Sequence, residues 1–252
     1  MIGHIAAREL RSLFLSPLAW SILAVVLFIL AFLFLSQLDL YMSYQSQLAM
    51  MESAPGVTEA VAAPLFSSAT IILLLVVPLI TMRLISEERR NRTLPLLFSA
   101  PISMTEIVLG KYLGILGFLG IMLGLIALMP LSLLLAGNLD FGLLFSGLLG
   151  LTLMLAAFTA AGLFMSTLTS HPTVAAVASF GLLLLLWVID WAGNMANSEG
   201  SGAVFSYLSL QKHYQALLSG LFDSSDVVYY LLFIVTFLVL SIRRLDADRL
   251  QH

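Results

Sequence analysis

Residues 84–111 read LISEERRNRTLPLLFSAPISMTEIVLGK. This is the one long charged stretch between two strongly apolar ones. It carries Glu87, Glu88, Arg89, Arg90 and Arg92, then Glu106 and Lys111. Between the charges runs a short apolar piece, Leu94 to Ile102, broken by Pro95 and Pro101. Ionised side chains are costly in hydrocarbon, so a charged segment between two membrane-length runs must sit in water. One that also holds a compact amphipathic piece is built to touch something.

The rest of the chain explains why the stretch stands out. Its 252 residues are 60% hydrophobic and only 10% charged, with a mean hydropathy of +1.05. A soluble domain has about 25% charged residues. So few charges cannot cover a water-facing globule, and the fold class is an all-α integral membrane protein. The net charge of −3 gives no reason to expect a nucleic-acid partner. The absence of cysteine excludes disulfides, thiol catalysis and cysteine metal sites. Arg8 and Arg11 precede an apolar run too long for a signal peptide, and the N-terminus reads as retained.

Working outward, the sequence reads as a single transmembrane domain over 1–252. Ile2, Ile5, Ala6, Leu10, Leu13 and Phe14 fall on one side of a short N-terminal helix; His4, Arg8, Arg11 and Ser12 fall on the other. That pattern predicts a helix lying in the membrane interface with Arg8 and Arg11 toward the headgroups. Six runs near the length that crosses a bilayer follow, at about 18–36, 64–85, 107–136, 141–168, 173–191 and 227–242. Pro78 is expected to kink the second, because it removes a backbone donor. The third carries two GxxxG pairs, Gly110/Gly114 and Gly120/Gly124, which allow close helix approach. The fourth holds further small residues, Ala156, Ala157, Ala160, Ala161 and Gly162. Two polar loops are long, 37–63 and 192–226. The second has an amphipathic middle, Phe205 to Phe222, expected to lie on the outer membrane surface. Phe28, Phe32, Phe34 and Phe118 read as lipid-facing or packing residues.

Charge then orients the chain. With six spans, both termini, the 84–111 stretch and the turn at Thr169 share a side. That side collects every lysine and arginine except Lys212. The positive-inside rule places it in the cytoplasm. Asp39, Glu52, Glu59, Asp140, Glu199, Asp223 and Asp226 fall on the other side.

The sequence offers no catalytic constellation. It lacks HExxH and the GxxxxGK[ST] phosphate loop. His171 and Ser166 are close in sequence, but His171 sits in a turn before Pro172. Asp190, Gln37, Asp39 and Asn194 read either as interfacial anchors or as groups lining a path.

The central stretch resembles the ABC-2-type transporter permeases. These carry an E-[ER]-x-x-G-T-L-E-x-L-L pattern, then P-[VI]-S, then E-I-x-x-G-K. Here Glu87-Glu88-Arg89-Arg90 opens it, Thr93-Leu94 and Leu96-Leu97 follow, then Pro101-Ile102-Ser103 and Glu106 to Lys111. The match looks nearest to the gliding-motility and nitrous-oxide-reductase-maturation branch, helped by Phe205 to Ser209, His213 and Gly220. Arg92 stands where that family usually has Gly, and Pro95 where it often has Glu. The resemblance implies a coupling helix between spans two and three that docks on a separate ATPase. Glu87, Glu88, Arg89, Arg90 and Arg92 would pair with the partner's charges, Leu94, Leu96, Leu97 and Phe98 would offer a small apolar face, and Thr93 and Pro101 would also belong to the coupling element. It further implies a permease subunit in a bacterial inner membrane, multi-pass with both termini cytoplasmic. The expected activity is export, with ATP and Mg on the partner ATPase and no cofactor or metal in this chain. A homodimer or heterodimer of permeases would form the path. The alternative is a non-transporting scaffold that passes ATPase motion to a periplasmic partner.

Overall fold

Runs of leucine, isoleucine, phenylalanine and alanine without charges have one way to satisfy their backbone inside a bilayer, which is helix. The computed structural model bears this out. It describes residues 1–48, 56–94, 102–135, 139–195 and 209–250, with backbone only at 45–48, 135 and 190–195. Among the described residues the chain is helical, and six helices are long and apolar enough to cross a membrane, one at each of the expected runs. It is a multi-pass membrane protein.

In chain order, α1 spans Ile2–Leu15 and α2 Pro17–Leu48. A π-helical turn, Thr58–Ala62, leads into α3, Ala63–Thr81, and α4 is the short Ser86–Arg90. Then come α5, Met104–Ser132, α6, Phe141–Leu168, and α7, Pro172–Met195. The last two are α8, Leu210–Leu218, and α9, Ser224–Arg249. At 29 residues, α5 is about 43 Å long, against a hydrocarbon core of about 30 Å. Its first turns, with Glu106 and Lys111, therefore stand clear of the lipid. The first span is also longer than the apolar run suggests: α2 carries Asp39, Tyr41 and Tyr44 within the helix.

α6 is the central post. It packs against α3, α5, α7, α8 and α9. Lipid is as apolar as leucine, so such helices associate by close packing and hydrogen bonds instead of by expelling water. α6 supplies both. A Cβ at Gly162 would run into the Thr81 side chain, so the glycine lets α3 sit directly on it. Ala157, Ala160 and Ala161 are fully buried along the same helix, and the Tyr112 hydroxyl of α5 donates to the Ala156 carbonyl at 3.1 Å. Phe34 and Phe118 are buried in this core, whereas Phe28 and Phe32 are exposed toward lipid.

Several expectations are refined. The apolar side of α1 does not stand alone at a membrane surface: it lies along the start of α5. A Cβ at Gly110 would be 2.6 Å from Ile5 Cβ, and one at Gly114 2.7 Å from Glu9 Cβ. Leu10, Leu13 and Phe14 pack on the core, while His4, Arg8, Arg11 and Ser12 are exposed. The second GxxxG pair is different. A Cβ at Gly120 or Gly124 meets nothing within 4 Å. The amphipathic piece in the long second loop is α8, and it seats Tyr214 and Leu217 in the bundle. Gly150 makes room for both, with Leu217 Cβ 3.0 Å from a Cβ built there. Residues 205–208 of that piece lie outside the described residues.

Candidate coupling site

α3 stays helical through Pro78 to Thr81 and breaks one turn later, at residues 82–85, before α4 resumes. The break frees backbone donors that need an acceptor. Ser166 of α6 provides it. Its hydroxyl accepts from Ile85 N at 3.0 Å and Ser86 N at 3.1 Å, and donates to the Met82 carbonyl at 3.1 Å. Ser86 Oγ also donates to that carbonyl. Ser166 is fully buried and belongs to this joint, not to a dyad with the exposed turn residue His171.

α4 ends as sharply as it begins. Thr93 N donates to the Glu88 carbonyl at 3.0 Å and Arg92 N to the Arg89 carbonyl at 3.2 Å, the paired bonds of a Schellman stop. Such a stop needs a left-handed residue, usually glycine, at the position after the cap. Here that residue is Arg92, with φ of 54°. The family's glycine is thus replaced while its backbone shape is kept.

The charged residues of α4 divide by face. Glu88 turns inward, with Oε1 2.8 Å from Lys111 Nζ of α5; Glu9 of α1 lies 3.6 Å from the same ammonium. Lys111 is only 2% exposed. Arg89 also turns inward. It donates to the Thr167 carbonyl of α6 at 2.9 Å and pairs with Asp248 near the end of α9. Arg244 approaches the same carboxylate at 3.7 Å. Glu87, Arg90, Asn91, Arg92 and Thr93 are exposed on the outer side, and Leu94 is buried. Leu97 and Pro101 lie outside the described residues. Where the chain resumes, Ser103 and Glu106 form a capping box that starts α5, at 3.2 Å and 3.1 Å.

Glu88 and Arg89 are therefore committed inside the chain. Sequence reasoning placed them at a partner's face, and it missed Glu9 and Asp248. Helical spacing held a signal for each. Asp248 lies four residues after Arg244, and Glu9 falls next to Leu10 on the side of α1 that seats on α5. The charge asymmetry read from sequence has a structural counterpart: α1, α4, the start of α5 and the end of α9 meet at one end of the bundle.

The opposite end is held by polar groups of α8. Tyr230 donates to the Leu210 carbonyl at 2.7 Å, and Trp187 Nε1 to Gln211 Oε1 at 3.1 Å. His213 Nδ1 lies 2.6 Å from Asp226 Oδ1, and its ring stacks on Tyr229 at 4.1 Å. Burial pushes the Tyr214 hydroxyl well above its ordinary range. Among the described residues no group of three or more His, Cys, Asp or Glu could hold a metal. The side chains of Asp190 and Asn194 lie outside the described residues.

The fold is that of a helical membrane protein with an ionic joint at one end. The chain belongs to the ABC-2 family: the model of the ABC-2 family transporter protein matches residues 4–250, nearly the whole chain. It is the membrane permease subunit of an ABC transporter. A search of the curated proteins returned no match.

Proposed function

We propose that this permease is driven by a separate ABC ATPase, which binds ATP and Mg and pushes on α4 and the segment through Leu97 and Pro101. The observation that carries the reading is the division of α4 into two faces. Glu87, Arg90 and Arg92 are exposed and available to a partner's charges. Glu88 and Arg89 tie the same turn to α5, α6, α1 and α9. A push on the outer face is delivered to α5 and α9 through ion pairs, to α6 through a hydrogen bond and to α1 by way of Lys111, while the break at 82–85 lets α4 move relative to α3.

In this reading the arginine-rich end is cytoplasmic, the membrane is a bacterial inner membrane, and both termini face the cell interior. The transporter works as an exporter built from two permease subunits, homodimeric or heterodimeric. Gly120 and Gly124 offer the second subunit a close-approach surface, and the resemblance of the central stretch favours kinship with the gliding-motility and nitrous-oxide-reductase-maturation branch. The test is co-purification with the cognate ATPase subunit. E87R/R90E should lower recovery of the ATPase about tenfold while the permease keeps its thermal stability. Undiminished recovery would remove α4 from the docking surface. A reconstituted complex that hydrolyses ATP, moves no solute and binds a periplasmic protein would instead establish the scaffold reading.

A further inference from the structure

A cavity of about 450 Å³ opens beside the ionic joint, between α1, the start of α2, the end of α3 and α5. That lies within the range of small-ligand sites, about 300–1,000 Å³. Its floor is apolar and includes Ala19, Ile80 and Phe118. Its rim is charged. Arg8 of α1 and Arg83 of the 82–85 break both line it, and so does Glu87. All three are exposed, and among the described residues none forms an ion pair. The other charged lining groups, Glu9, Glu88 and Lys111, are engaged with one another.

We propose that this cavity holds a membrane phospholipid with an ammonium headgroup, its phosphate on Arg8 and Arg83 and its ammonium toward Glu87. Two features select that ligand. An apolar floor beneath a charged rim matches an amphiphile, and the cavity lies where the first two helices enter the bilayer. The free rim charges are two positive and one negative, which complements a phosphate joined to an ammonium. A purely anionic headgroup would leave Glu87 facing like charge. The site shares Glu87 with the docking face of α4, but Arg8, Arg83 and the apolar floor lie outside that face, so the cavity stands whether or not an ATPase docks there. A lipid seated here touches the 82–85 break directly, so its occupancy would bias the joint.

Native mass spectrometry of the purified full chain tests this, after equilibration with equimolar phosphatidylethanolamine and phosphatidylglycerol. One phosphatidylethanolamine per chain should survive delipidation. R8Q/R83Q should lower its retention about tenfold or more, the effect of at least one lost charge-assisted contact. A19L, which fills the floor and leaves every charge in place, should lower it too. E87Q should reduce the preference for phosphatidylethanolamine over phosphatidylglycerol. R11Q/R243Q, at exposed arginines outside the cavity, should change nothing. Wild-type retention by R8Q/R83Q, equal loss in R11Q/R243Q, or preference for phosphatidylglycerol overturns the proposal. Displacement of the lipid by excess inorganic phosphate would also overturn it.

Discussion

Replacing Lys111 by methionine keeps an unbranched side chain, one atom shorter, and removes its charge. Lys111 is 3% exposed along its side chain, and it serves two carboxylates, Glu88 at 2.8 Å and Glu9 at 3.6 Å. Breaking a buried pair from one side costs about 3–5 kcal/mol, because the surviving charge stays desolvated. Here the survivors are 22% and 19% exposed. Water reaches them in part, so the expected cost falls to about 2–3 kcal/mol. For a chain of this size that is a drop in Tm of about 4–12 °C. Attraction scales inversely with distance, so E88Q should cost more than E9Q. The triple variant K111M/E88Q/E9Q removes every charge and should recover most of the loss. The assay is thermal unfolding in detergent at neutral pH, followed by helical circular dichroism. A K111M shift below about 1 °C would refute the reasoning. So would a triple variant less stable than K111M alone.

Four further outcomes are expected. G114A should destabilise by about 1–3 kcal/mol, since its new Cβ meets that of Glu9, whereas G120A should be neutral or stabilising by up to about 1 kcal/mol in the isolated chain; thermal unfolding separates them. S166A should strand two amides and cost about 1–3 kcal/mol, with faster hydrogen exchange at Ile85 and Ser86. R92G should stabilise the end of α4 by about 1 kcal/mol by removing the left-handed strain of a side chain, and R92V should do the reverse; chemical denaturation measures both. The Ser225 backbone and hydroxyl hold the Asp223 carboxyl below its ordinary value. A depressed acid stabilises above its unfolded pKa of about 3.9 and loses that effect as pH falls through the folded value. Hydrogen exchange at Ser225 should therefore show the start of α9 fraying only on strong acidification.

The six spans were legible because length and hydropathy report on one solvent, the bilayer, independently of any neighbour. The shared end of the arginines was legible for the same reason. What depended on a distant partner was not. Gly110/Gly114 and Gly120/Gly124 are the same motif in one helix, yet only the first pair receives α1. Pro78 marks a missing donor, but the helix breaks where Ser166, some eighty residues on, can bond the backbone. Of the candidate coupling residues, Glu88 and Arg89 are as charged as Glu87 and Arg90, and the partners that hold them lie on α5 and α9. The amphipathic loop segment resembled a surface helix because its apolar side matches lipid as well as it matches the notch made by Gly150. The departure at Arg92 preserved the geometry that the usual glycine serves.

The Arg89–Asp248 contact also bears on how the molecule is made. The two residues are 159 positions apart, and the last span must be inserted before they can meet. Until then Arg89 is held by Thr167 alone, and the turn lacks its ionic anchor on the final helix. A chain arrested after five spans would thus carry an incomplete joint. Assembly order is in this way written into a single ion pair.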